Sequence, residues 1–139
     1  MRIAPIFTVV LLLWAAAWSA ESGNTNVIGT WEGESKCTVP DSPCHDEQAV
    51  YHFFADAHDS TKLNLDAYKV VNGTPQLMGT IECHYHSEQA TLNCTGNTRQ
   101  QDTWEFHISG DTMTGTLTVG EKKILYRRIS LRKTLSKAP

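Results

Sequence analysis

The chain has 139 residues, with 12 Lys and Arg against 15 Asp and Glu for a net charge of −3, and 40% of it is hydrophobic. That length holds one ordinary domain. The apolar share excludes a disordered tail, and the small negative charge excludes a binder held on nucleic acid by phosphate contacts.

Residues 1–20 read MRIAPIFTVVLLLWAAAWSA: one Arg, an apolar run, then small residues. This is the layout of a secretory signal peptide, expected to be cleaved near Ala20. The apolar run is too short to span a bilayer, no basic stop-transfer flank follows it, and no later stretch predicts a membrane span. Removing the leader takes Arg2 with it and leaves 119 residues of net charge −4, residues 21–139, as a single domain.

The mature chain alternates strand-like runs with turn residues. Val27–Lys36 is the first run, and Gln48–Ala55 (QAVYHFFA) is the most aromatic. Lys62–Val71 ends at Asn72-Gly73, a strong hairpin signal because both residues tolerate positive φ. Gln76–His86, Gln89–Thr95 and Asp102–Ile108 follow. Gly110-Asp111 turns the chain into Thr112–Val119, and Gly120-Glu121 leads to Lys123–Arg132. These eight runs lack helical periodicity, and their short connections allow antiparallel neighbours only. The expectation is all-β, either a small closed barrel or a sandwich.

A period of two assigns the inner faces. They are Leu63, Leu65 and Ala67; Leu77, Gly79, Ile81, Cys83 and Tyr85; Trp104, Phe106 and Ile108; Met113, Gly115, Leu117 and Val119; and Leu125, Arg127, Ile129 and Leu131, with Tyr51 and Phe53 joining them.

Four cysteines in a short exported chain imply two disulfides in an oxidising compartment. Three pairings are open, and spacing favours Cys37–Cys44 and Cys83–Cys94. No Cys pair has the CxxC-like spacing of a thiolate metal site. Placing Cys83 opposite Cys94 sets Tyr85 against Leu92 and Ile81 against Gly96. It also turns Glu82, His84 and His86 towards Thr95, Asn93 and Thr91, so one register satisfies both the disulfide and the polar pattern.

The first run holds Gly29-Thr30-Trp31, and the last holds Arg127 among apolar side chains. An Arg on an apolar face needs a partner, and an aromatic ring is a common one. This pair resembles the signature of the calycins: the lipocalins, the fatty-acid-binding proteins and their relatives. The resemblance implies an eight-stranded antiparallel up-and-down barrel. It also implies that Gly29 and Trp31 close one end, with Arg127 (or its rival Arg128) packed across Trp31. The Arg-x-Tyr of the fatty-acid-binding proteins is absent, since this chain reads Tyr126-Arg127-Arg128-Ile129. GTWEGE is also similar to the start of nitrobindin-type haem barrels, but no counterpart of their haem-ligating segment is present, and no cofactor is expected.

The function implied is non-catalytic binding of a small apolar or amphipathic molecule, lined by Tyr51, Phe53, Leu65, Trp104, Phe106, Met113 and Leu117. No GxSxG is present and the cysteines are expected to be paired, so no nucleophile stands out. The alternative is a barrel filled by its own side chains and working as a protein-binding module or protease inhibitor, because small barrels can be solid. A third reading is a divalent metal site at Glu82, His84 and His86, since residues two apart on a strand share a face. Cys44-His45-Asp46-Glu47 is expected either to shape a barrel rim or simply to solvate a loop. Asn72-Gly73-Thr74 and Asn93-Cys94-Thr95 match the glycosylation sequon.

Overall fold

The computed structural model describes residues 23–97 and 100–139, so the expected leader lies outside the described residues. Among the described residues a 3-10 turn, Gly23–Asn26, precedes eight strands. They are β1 (Gly29–Cys37), β2 (Glu47–Ala55), β3 (Lys62–Val71), β4 (Thr74–His86), β5 (Thr91–Asn97), β6 (Gln101–Ser109), β7 (Thr112–Val119) and β8 (Ile124–Thr134). Each pairs antiparallel with its neighbour in sequence, and β8 returns to β1, closing an up-and-down barrel. Among the described residues no helix is long and apolar enough to cross a membrane.

Local chemistry explains the connections. Asn72 and Gly73 have φ of 51° and 77°, which the tight hairpin between β3 and β4 demands. Between β2 and β3 the chain is held by acids. Asp56 accepts hydrogen bonds from the amides of His58 (2.8 Å) and Asp59 (3.0 Å) and from Asn64 Nδ2 (3.0 Å). Asp59 accepts from the Thr61 amide (2.9 Å) and hydroxyl (2.6 Å). These bonds hold both carboxyls below the usual carboxylate range.

Both disulfides are Cys37–Cys44 and Cys83–Cys94, the pairing and register expected from spacing. Cys83 and Cys94 are fully buried neighbours on β4 and β5. Two disulfides suit a chain that folds in an oxidising environment.

The core fills one half of the barrel. Phe53, Leu65, Phe106 and Met113 are all fully buried. The Phe106 ring meets Phe53 and Tyr51 edge to face, each at 6.1 Å. It also lies over Gly115, its partner on β7, where an added Cβ would come within 2.3 Å of Phe106 Cδ1.

Two expected inner positions are wrong, for one reason. The β3–β4 register shifts between Ala67 and Tyr68, so that Met78 is an extra residue and Tyr68 pairs with Leu77. A bulge reverses the alternation beyond it. Gly79 and Ile81 therefore face inward as expected, while Leu77 is 56% exposed. A second shift between Leu117 and Thr118 makes Tyr126 the extra residue of β8, and Tyr126 rather than Leu125 packs on the core.

Candidate functional site

The barrel has two unlike ends. At one end Val27 and Trp31 are fully buried beneath the 3-10 turn, and Trp31 Nε1 donates to the Val27 carbonyl at 2.8 Å. The cation over this Trp is not Arg127. Arg127 pairs with Cys37, six residues along β1, whereas Lys133 pairs with Trp31. Six residues of strand are roughly 20 Å, so Arg127 belongs to the opposite end. Lys133 Nζ lies 5.4 Å from the Trp31 ring centroid and donates to the Asn26 carbonyl at 2.7 Å. The rival Arg128 pairs with Lys36 and is exposed. β8 runs to Thr134, two residues past the expected end at Arg132, and so carries Lys133 onto the sheet. Gly29 has φ 127°, a backbone that side chains rarely adopt, where β1 begins.

At the opposite end lies a cavity of about 230 Å³. Two rows of paired residues face it. Tyr51, Ala67 and Gly79 form one row across β2, β3 and β4; Trp104, Leu117 and Arg127 form the other across β6, β7 and β8. Ile81 and Met78 add apolar wall, and Glu47 and Asp102 stand at the mouth. Gly96 of β5, opposite Asp102, lies under the Trp104 ring, where an added Cβ would come within 3.0 Å of it. A wider hollow of about 510 Å³ between Val39 and Tyr126 is a groove on the rim rather than a space within the barrel.

Arg127 is the organising cation of the mouth. Its side chain is 13% exposed and that of Glu47 is 19%. Arg127 Nη2 donates to Glu47 Oε1 at 3.1 Å. Its Nη1 donates to the His45 carbonyl at 3.1 Å and lies 3.3 Å from both the Ser35 carbonyl and hydroxyl oxygens. A charge this far from water needs such partners. The loop that offers the His45 carbonyl is fastened in turn. Cys37–Cys44 closes it, the Cys37 amide donates to Asp46 Oδ1 at 2.8 Å, and the Thr38 hydroxyl donates to the Leu125 carbonyl at 2.7 Å. The segment Cys44–Glu47 thus shapes the rim and supplies two of the groups that hold Arg127.

Below the mouth, burial pushes the Tyr51 hydroxyl up to about 12, with the nearby Glu47 charge adding to it. Arg127 and hydrogen bonds with the Ser35 and Trp104 side chains pull the other way but do not win. At neutral pH the cavity therefore contains a protonated phenol.

Of the seven expected lining residues, Tyr51, Trp104 and Leu117 line this space. Phe53, Leu65, Phe106 and Met113 do not; they are packed beneath it as its floor. Alternation identifies which residues face inward, but not which part of the interior they fill. Sequence reasoning missed Glu47, Ala67, Met78, Gly79, Ile81, Asp102 and Arg127 as lining residues. The signal was their neighbours: Ala67 and Gly79 are the small residues of otherwise large inner faces.

The expected metal trio does not form a three-ligand site. Glu82 Oε1 is 3.1 Å from Lys62 Nζ and 3.2 Å from His84 Nε2 on the outer face. His86 is two pairs further on, opposite Thr91. Among the described residues no three His, Cys, Asp or Glu side chains are placed to hold a metal ion. His52 is an outer-face residue, stacked on Phe54 and 3.3 Å from the Thr30 hydroxyl.

Compared with models of known protein families and with curated proteins, the chain matches none.

Proposed function

We propose that this is an exported, non-catalytic carrier of the lipocalin-like kind, secreted or periplasmic, which takes a small amphipathic molecule into one end of its barrel. The observation that carries the reading is the 230 Å³ cavity, apolar along its walls and ionic only at its mouth. Small-molecule sites have this composition: apolar lining with a few placed polar groups. Binding would rest on burial of ligand surface with no covalent step. Each Å² of apolar ligand surface removed from water would contribute about 25 cal/mol, offset in part by the freedom lost on binding. The alternative of a solid barrel working only through its outer surface requires a packed mouth, and the space between the Tyr51 and Trp104 rows argues against it.

Native mass spectrometry of protein purified without denaturation from an exporting host tests the proposal. A small-molecule adduct lost on unfolding is the expected result. Protein that carries none, and that gives no saturable heat when titrated with small aromatic amphiphiles, overturns it.

A further inference from the structure

Building on that reading, we infer that the ligand carries a planar aromatic ring that stacks on the Trp104 indole, and that Tyr51 and Gly96 are the positioning residues that hold this indole across the barrel. In a closed ring of eight strands, β6 and β2 stand opposite each other. Trp104 on β6 nevertheless hydrogen-bonds the Tyr51 hydroxyl on β2. The one polar group of an indole is its Nε1–H, which only donates, so Trp104 is the donor and Tyr51 the acceptor. The other end of the same indole rests on β5. A Cβ built at Gly96, which is buried, would come within 3.0 Å of Trp104 Cζ3 and 3.3 Å of Cη2. A methyl there would press the ring aside, and a larger side chain would displace it. The same point is 3.7 Å from Ile81 Cγ2, so β4 bounds the ring as well.

The indole is thus pinned at both ends by the protein itself. Its acceptor is fixed in turn: Tyr51 is buried, bonded to the Ser35 hydroxyl and met edge to face by Phe106. Yet Trp104 is only half-buried, and it lines the cavity. A flat ring held in place within an apolar space is a stacking surface, and one that needs no ordering on binding forfeits no affinity to its own freedom. Leu117, Ile81 and Ala67 supply apolar wall around it. The volume fits one such guest: about 150 Å³ holds benzene, and this cavity of about 230 Å³ takes a ring with a short substituent.

Calorimetric titration with benzyl alcohol and cyclohexylmethanol tests this, because both are neutral six-ring alcohols and only the first is aromatic. The saturated alcohol is the more hydrophobic, so burial alone favours it, whereas stacking on Trp104 reverses the order. Benzyl alcohol is expected to bind at least about threefold more tightly and to change the tryptophan emission. That change belongs to Trp104, because Trp31, the other tryptophan of residues 21–139, is sealed in the closed end. A smaller or reversed preference in the wild type overturns the inference. Trp104→Leu should turn the preference towards cyclohexylmethanol, and an unchanged ratio in the folded variant overturns the stacking assignment. Tyr51→Phe and Gly96→Ala keep the ring but unpin it, and should bring the two affinities together. A merely structural role would shift both affinities alike, so an unchanged ratio in these folded variants overturns the positioning roles. The wild-type comparison and these two variants keep the test open if Trp104→Leu prevents folding. A wild-type protein that binds larger amphiphiles but neither alcohol refutes the inference while leaving the carrier reading intact. One that binds no amphiphile at all refutes the carrier reading itself.

Discussion

Tyr51 couples the cavity to stability through its proton. Its hydroxyl titrates near pH 12 in the folded protein against about 10 in an unfolded chain. A raised pKa stabilises the fold in full below the unfolded value, and the benefit drains away as pH rises from about 10 to about 12. Two units correspond to about 3 kcal/mol over that window. Urea midpoints at pH 8 and pH 11.5 should fall further for the wild type than for Tyr51→Phe, because the variant has no phenol to ionise. At the mouth, Arg127→Met strands the Glu47 carboxylate and deprives the His45 carbonyl of its donor. The expected cost is about 2–4 kcal/mol, somewhat under that of a fully buried pair because both side chains keep some contact with water. Adding Glu47→Gln should restore part of it, and a double-mutant cycle by urea denaturation measures the coupling.

At the scale of the strand, two glycines with the same chemistry have opposite expectations. Gly33 of β1 lies against β8, where a methyl would come within 2.9 Å of Leu131 Cα as well as striking the Ser130 carbonyl. Gly33→Ala must separate backbone from backbone and should cost about 1–3 kcal/mol, read as a drop in melting temperature. Gly79→Ala enters open space and should leave that temperature within a few degrees. The bulges at Met78 and Tyr126 are the element-scale features hidden from the sequence. Leu77-Met78-Gly79 and Leu125-Tyr126-Arg127 offer an apolar residue in either phase, so alternation alone does not reveal where the phase changes. By contrast the Cys83–Cys94 hairpin was legible, because a covalent pair and two polar faces all demanded one register.

For the whole molecule, the division into a solid half and a hollow half governs both stability and capacity. Phe106 joins the halves, since its ring touches Phe53 in the floor and Tyr51 in the cavity wall. Phe106→Ala should cost about 3–5 kcal/mol, as large core truncations do. It should also deepen the cavity enough to admit longer amphiphiles that the wild type excludes, a change that calorimetry on the folded variant would detect. Unaltered ligand length selectivity in a folded variant would show that the floor does not limit the site.

The sequence by itself determined the all-β class, the eight strands in order, the turn at Asn72-Gly73 and both disulfides. All of these follow from local periodicity, φ preferences and short covalent loops, which act within a few residues. It also marked Trp31 and Arg127 as unusual, but it joined them wrongly. Which cation covers Trp31 depends on the pairing of β1 with β8, the two strands farthest apart in the chain, and a register between distant strands leaves no local trace. Only the tertiary structure seated Lys133 on Trp31 and sent Arg127 to the far rim to meet Glu47. It alone decided that the barrel is both full and hollow. That outcome depends on whether large residues on opposite walls fall at the same height, as Phe53 and Phe106 do, or whether one wall retreats to Ala67 and Gly79.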